Sequence, residues 1–353
     1  MNLKIAILYQ SYGKSYGHTR MAHNLALAAQ KRGHEPILIN SGIAQNEFMF
    51  HPEIPCLCLQ DFKEIRSYIA THQTDLLITE FFPFGRASLR PKMRRLFESL
   101  KEINPQLKIV SSMREFVGRT PEPKEPNKLE KHARRIAYDL DKFYDLFLIH
   151  GPTNLKPSFD VVLDENLLDT KGKWCGYLVD PYLQLIGGEE RSGEQLIVGF
   201  GAEVDPLPIY EIFTSPSFGL LDETTFIFSH PAQRELLARA TGVSASSFRK
   251  SFPFDLQTAR LAILYAGYGT VIERLLSGLP TIFISRENDL EHERRLDSIK
   301  HLPHIRTIKH NELNAEVIKE YIHQLKDFSL HQYNDQINFN AGEVALEYLE
   351  QLF

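Results

Sequence analysis

Short, unbroken apolar runs recur along this chain, and each is followed by a stretch with helical spacing. Residues 5–8 are the first such run, as in a strand buried on both faces. Behind it, Met21, Ala22, Leu25, Ala28 and Ala29 fall on one helical stripe. Gly33 ends that helix, with Lys31 and Arg32 in the last turn, where the dipole favours cations. Residues 36–39 supply the next strand, which makes a β–α–β unit with a parallel sheet and a right-handed crossover. Runs at 76–79, 107–111 and 146–149 continue the series, with helices over 91–103 and 129–144. A second series follows Trp174, with strands at 196–200, 225–229, 261–265 and 281–284. The pattern predicts an α/β chain of two doubly wound domains, divided somewhere in 152–182. A length of 353 residues is enough for two cores. A last helix from about residue 338 carries Ala341, Ala345, Tyr348, Leu349 and Leu352 on one stripe and needs a surface to pack on.

Composition narrows the function. A net charge of −5 argues against a general nucleic-acid binder. Cys56, Cys58 and Cys175 form neither a CxxC pair nor an even set, so neither a disulfide framework nor a zinc site is expected. No run reaches membrane-spanning length, and the N-terminus reads as a first strand and not a signal peptide. The expectation is a cytoplasmic protein without a transmembrane segment. The Pro-rich, charged stretch 118–128 reads as an exposed, mobile loop.

Ligands of doubly wound sheets bind at the carboxyl ends of the strands, so the loops there carry the chemistry. The first is YQSYGKSYGHTR (9–20). A Walker loop needs a glycine five positions before Gly13, where Leu8 stands inside the strand. A dinucleotide fingerprint needs GxGxxG and a carboxylate after the second strand, where Asn40, Ser41 and Gly42 stand. What remains is a loop that delivers His18 to a helix start, as a base near neutral pH or as a plain capping or packing residue. The next loop, TEFFPFGRASLR (79–90), opens on Glu80. Arg86, Arg90, Lys92, Arg94 and Arg95 follow, as contacts for an anionic acceptor or as a solvated basic face. Phe81, Phe82 and Phe84 are aromatics beside that loop, more in keeping with core. Arg114 and Glu115 end the strand at 107–111, and His150 ends the one at 146–149.

The stretch 263–297 says most. A strand runs into Ala266-Gly267-Tyr268-Gly269-Thr270, which opens a helix. Glycines there let a ligand approach the backbone, and a helix start suits a diphosphate. Glu273 follows Thr270 at capping-box spacing, the structural alternative for that acid. Arg286 follows the strand at 281–284, before an acidic helix start with Asp289, Glu291, His292 and Glu293. That group matches no standard metal-ligand spacing.

Together, Gly13, Gly17, His18 and Arg20 early, and Ala266-Gly267-Tyr268, Thr270, Glu273, GLP (278–280), Arg286, Glu291, His292 and Arg295 late, resemble glycosyltransferases of the GT-B fold. The nearest group is the predicted transferases related to the peptidoglycan lipid-linked N-acetylglucosaminyltransferase. The likeness covers most of the chain. It implies two Rossmann-like doubly wound domains facing a cleft. The first would span 1–165 and be completed by the helix 338–353; the second would span 166–337. The first would hold the acceptor, with Gly17, Arg20 and Arg114 on that side, and the second a nucleotide-sugar. The resemblance implies His18 near the reacting centre and Gly267, Tyr268, Gly269 and Thr270 on the diphosphate. It implies Glu273 on the ribose, Glu291 and His292 on the donor sugar, and a further donor loop at Gly199-Phe200-Gly201-Ala202. The chain departs from the pattern at Gly269, Ser285 and His292, where Asn, Pro and Gln are usual.

The resulting expectation is direct sugar transfer with inversion, from a UDP-linked nucleotide-sugar to the hydroxyl of an acceptor the sequence does not name. His18 is the base, with Glu80 or Glu115 as substitute or orienter. The helix start at Gly269–Thr270, with Arg114 or Arg286, stabilises the leaving diphosphate. No metal and no cofactor are expected. Two other readings stay open: a nucleotide-sugar epimerase or hydrolase on the same fold, and a non-catalytic sugar-nucleotide-binding protein.

Overall fold

The computed structural model describes residues 1–11, 17–43, 53–114, 126–152, 165–183, 196–200, 205–215, 218, 224–228, 235, 246–247, 252–328 and 337–353. The chain forms two compact units, Met1–Pro181 with Ile337–Phe353, and Tyr182–Gln336.

In the first unit, seven strands form one parallel sheet: β1 (Lys4–Tyr9), β2 (Glu35–Asn40), β3 (Cys56–Cys58), β4 (Leu76–Glu80), β5 (Lys108–Arg114), β6 (Leu146–His150) and β7 (Gly172–Trp174). Their order is 3-2-1-4-5-6-7, so the winding reverses between β1 and β4. The helices are α1 (Gly17–Lys31), α2 (Phe62–Thr71), α3 (Arg90–Ile103), α4 (Pro126–Phe143) and α5 (Glu165–Lys171). Every residue of β4 and β6 is buried, which is why those strands read as unbroken apolar runs. Phe97, Ile136, Leu140 and Phe147 fill the space between α3, α4 and the sheet.

The first unit runs past the expected end at residue 165. The reason is β7, which adds to the sheet beside β6, after which Leu178 makes an antiparallel bridge with Asn340. Of the stretch 118–128, residues 118–125 lie outside the described residues. Residues 126–128 open α4 with Pro126 at the first helical position, which proline's fixed φ suits.

The second unit repeats the plan. Its strands are β8 (Leu196–Phe200), β9 (Thr224–Phe228), β10 (Ser246–Ser247), β11 (Leu261–Tyr265), β12 (Thr281–Ile284) and β13 (Ile305–Ile308). They pair in parallel in the order 10-9-8-11-12-13, with the reversal between β8 and β11. Its helices are α6 (Leu207–Thr214), α7 (Phe252–Thr258), α8 (Tyr268–Ser277), α9 (Leu290–Ile299) and α10 (Ala315–Leu325).

The last helix, α11 (Ala341–Glu350), belongs to the first unit and packs on α1. Ala341, Ala345 and Leu349 of the expected stripe are buried, together with Leu346. A Cβ on Gly342 would stand 2.7 Å from the Cβ of Ala28, so glycine lets the two helices lie close. Arg32 then grips Glu350 with two parallel bonds, Nε to Oε1 at 2.9 Å and Nη2 to Oε2 at 2.8 Å, and reaches Glu343 at 3.0 Å. Among the described residues no helix is long and apolar enough to cross a membrane.

Candidate functional site

In the first unit the chemistry gathers where the winding reverses. His18 is the second residue of α1, which follows β1, and Glu80 is the last residue of β4. The two strands are neighbours, and their ends bring His18 Nδ1 to 2.7 and 2.8 Å from the two carboxylate oxygens of Glu80. The Glu80 side chain is 1% exposed and that of His18 16%. A carboxylate takes the Nδ1 proton as its donor, so the neutral imidazole keeps its lone pair on Nε2.

Arg114, ending β5, lays its Nη2 3.4 Å from Nδ1 and 3.5 Å from Nε2 of His18. Near-equal distances place that nitrogen to the side of the lone-pair axis of either ring nitrogen, so Nε2 keeps room to accept a proton. Phe81 completes the surround, its ring centroid 5.4 Å from that of His18. Its φ is +67°, a left-handed conformation that a bulky residue rarely adopts and that clusters at functional sites. Burial lowers the pKa of His18 below the ordinary 6.5; Glu80 opposes this and the charges of Arg114 and Arg86 add to it. The imidazole is therefore neutral at pH 7.

Other expected residues fall differently. Gly17 opens α1, while Arg20, two positions beyond His18, is turned to another part of the helix and buried. Glu115 and Gly13 lie outside the described residues. Phe82 and Phe84 are core, unlike Phe81. Arg90 and Arg94 do not form an open basic face: their Nε atoms hold Asp139 at 2.7 and 2.6 Å, and that carboxylate is fully buried. Arg86 donates to the carbonyl of Gln10 at 3.2 Å, tying the loop after β4 to the loop after β1. His150 is buried against Ser112, with 2.8 Å between its Nε2 and the Ser112 Oγ, and burial pushes its pKa down to about 3.

In the second unit the loop after β11 leads straight into α8. Gly267 is the N-cap, with extended backbone and no side chain bonded to the first turn. This corrects the capping-box alternative: Thr270 sits inside the helix, and Glu273 is a turn further on and buried. The glycines here are not required by the protein's own packing. A Cβ on Gly267 would meet only Thr270 Oγ1 at 3.8 Å, and one on Gly269 only Glu273 Oε1 at 3.7 Å, both ordinary contacts. Neither residue has a positive φ. Glycine in a helix costs roughly 0.5–1 kcal/mol relative to alanine. The bare backbone thus leaves the free N–H groups of the first turn open to an anion.

The loop after β12 stands beside it. Asp289 caps α9, accepting from the His292 amide at 3.2 Å. His292 Nδ1 accepts from the Arg286 amide at 3.3 Å, so its proton sits on Nε2. Burial pushes the His292 pKa down to about 3, with Asp289 opposing. A histidine fixed neutral offers one donor nitrogen and one acceptor nitrogen, and a glutamine amide likewise pairs a donor atom with an acceptor atom. Arg295, part of the late motif but given no role there, donates to Ala266 O at 2.9 Å and to Glu291 Oε1 at 2.7 Å. Its guanidinium lies 5.6 Å from the centre of the Tyr268 ring. It ties the α8 loop to Glu291; the signal was the i,i+4 spacing of 291 and 295. The expected loop at 199–202 is strand at its start, since Gly199 and Phe200 belong to β8, while Gly201 and Ala202 lie outside the described residues. Among the described residues there is no group of three or more His, Cys, Asp or Glu arranged to hold a metal ion.

No protein-family model and no curated protein sequence matches the chain. Solved structures do. An S. aureus MnaA–UDP complex aligns over 99% of this chain and 98% of its own at TM-score 0.58 and 13% identity. Acinetobacter baumannii MurG aligns over 99% of each chain at TM-score 0.56 and 12% identity. The glycosyltransferase SnogD from Streptomyces nogalater aligns over 100% of each at TM-score 0.53 and 13% identity. The fold is therefore the GT-B α/β architecture of these proteins.

Proposed function

We propose that the chain is a glycosyltransferase that moves a sugar from a UDP-linked nucleotide-sugar to an acceptor hydroxyl, with inversion and without recourse to a metal. The observation that carries this reading is the neutral His18, oriented by a buried Glu80 with its Nε2 lone pair left open. Such a pair has the protonation and geometry of a general base. In the proposed step the acceptor oxygen attacks the anomeric carbon and gives its proton to His18 Nε2. The bond from that carbon to the diphosphate oxygen breaks, and the leaving nucleoside diphosphate takes the electron pair.

Glu80 stabilises the imidazolium that forms, and burial, helped by Arg114, keeps the resting imidazole neutral. On the donor side, the start of α8 at Gly267, Tyr268, Gly269 and Thr270 and the guanidinium of Arg286 provide positive potential for the diphosphate. Glu273 receives ribose hydroxyls, and Glu291 and the Nε2–H of His292 contact the sugar. Support for UDP comes from S. aureus MnaA, a protein of the same fold solved with UDP. A cytoplasmic location is part of this reading.

The test is a panel of nucleotide-sugars incubated with and without acceptor alcohols. Acceptor-dependent release of UDP is expected, and His18→Ala should lower kcat by roughly 10²–10⁴-fold. Epimer formation without an acceptor would overturn the transferase reading, and unchanged turnover in His18→Ala would remove His18 from the mechanism.

A further inference from the structure

Cations in the first unit are for the most part spoken for. Arg32 has Glu343 and Glu350, Arg90 and Arg94 share Asp139, Lys108 has Asp145, Lys142 has Glu98, and Arg134 has Glu130. Four that are not so paired gather in one groove. A groove of about 640 Å³ runs between α2 and α3, with Lys63 and Arg66 on one wall and Lys92 and Arg95 on the other. All four side chains are exposed, and among the described residues none is in an ion pair. Lys92 leans over the Phe62 ring, 5.8 Å from its centre, and Arg95 Nε is bonded to Pro91 O at 3.2 Å. Phe62 and Leu96 give the groove an apolar floor. The single acid on its lining is Asp61, which caps α2 by accepting from the Lys63 amide at 2.9 Å. Four cations face one carboxylate here, in a chain whose net charge is −5.

The cations also share a position in the fold. Lys63 and Arg66 lie in the first two turns of α2, Lys92 and Arg95 in the first two turns of α3. Both helices begin where β3 and β4 end, so the four charges gather at the carboxyl edge of the sheet, where ligands of doubly wound sheets bind. The positive ends of two helix dipoles add to them. The size suits a discrete small ligand. Guanidinium and ammonium groups on two walls of one groove suit a phosphate, with three oxygens and up to two charges, better than a single carboxylate.

We propose that this groove binds a phosphate-bearing small molecule, with the phosphate between the two walls and an apolar portion on Phe62 and Leu96. The groove is lined by residues of the first unit alone, and the proposal does not depend on the transferase reading. The test is calorimetric titration with inorganic pyrophosphate at low ionic strength, in saturating UDP so that the proposed diphosphate site is filled. Binding is expected in the wild-type chain and should weaken about tenfold or more in Lys92→Glu/Arg95→Glu and, separately, in Lys63→Glu/Arg66→Glu. The pair Arg134→Glu/Arg135→Glu, on α4, should leave it unchanged. Absence of pyrophosphate binding, or binding indifferent to both groove variants, overturns the proposal. So does groove-dependent flotation with phosphatidylglycerol–phosphatidylcholine vesicles in the absence of pyrophosphate binding, which would make this a membrane-docking face instead.

Discussion

His18 is placed between two opposed charges, and each can be removed alone. Glu80 raises its pKa and Arg114 lowers it, on top of a lowering by burial. The proposed base works only when neutral, so kcat/KM should fall on the acid side through a pKa below 6.5. Glu80→Gln keeps an acceptor for Nδ1–H but removes the raising charge. The acid limb should then move to lower pH while the rate at neutral pH drops. Arg114→Met removes a lowering charge and should move the limb up toward 6.5. A pH profile of kcat/KM for both variants checks this, and shifts of the same sign would contradict the arrangement. The sequence flagged His18, Glu80 and Arg114 separately, because each sits at a strand end where chemistry belongs. It offered Glu80 or Glu115 as the orienter of His18 but gave neither the contact with Glu80 nor the place of Arg114 beside the ring, since β1 and β4 are neighbours only through a reversal of strand order that no local pattern records. Phe81 was hidden for another reason: its neighbours Phe82 and Phe84 are core, and only its left-handed backbone turns it to His18.

At the scale of elements, every central strand was legible and the edges were not. The nine apolar runs correspond to β1, β2, β4, β5, β6, β8, β9, β11 and β12. The strands they leave out are β3, β7, β10 and β13, the outer strands of the two sheets. Central strands of a parallel sheet are buried on both faces and so read as largely apolar runs. Edge strands escape that demand: β3 is Cys-Leu-Cys with no fully buried residue, and β13 is buried only at its ends. The stripe of α11 was readable, but its tether was not, because Arg32 and His34 lie over 300 residues from Glu350. His34 Nδ1 accepts from the Leu3 amide at 3.3 Å, which leaves Nε2–H to donate to Glu350 at 3.1 Å. Hydrogen bonds from Arg32 hold the Glu350 carboxyl below its ordinary 4.5. The stabilisation is therefore present above pH 4.5 and lost as pH falls through the lower, folded-state value. At neutral pH, Glu350→Gln should weaken α11 docking by about 1 kcal/mol, as for an exposed but bidentate pair. Amide exchange in 341–350 should rise roughly fivefold, with little change in β4 or β6.

At the scale of the molecule, each unit carries a buried histidine held neutral against acid. His150 in the first unit and His292 in the second both have pKa values pushed from 6.5 down to about 3, chiefly by burial. An unfolded chain binds these protons near pH 6.5 and the folded units do not, so stability is full above 6.5 and declines as pH falls toward 3. Each histidine contributes about 1.4 kcal/mol of loss per pH unit in that window. Between pH 6.5 and 5, each unit should lose roughly 2 kcal/mol from this source alone. His18 adds to the first unit's loss with the same sign. The two units have separate cores, so their transitions need not coincide, and urea unfolding should be followed by probes local to each. Trp174, in β7, reports the first unit by fluorescence, and amide exchange in β11 and β12 reports the second. His292→Gln should flatten the pH dependence of the second unit and leave that of the first intact. The same substitution keeps a donor atom and an acceptor atom at that position, so nucleotide-sugar binding should survive it. Loss of binding in this variant would mean that the imidazole itself, and not its neutral donor–acceptor pattern, is what the proposed donor site uses.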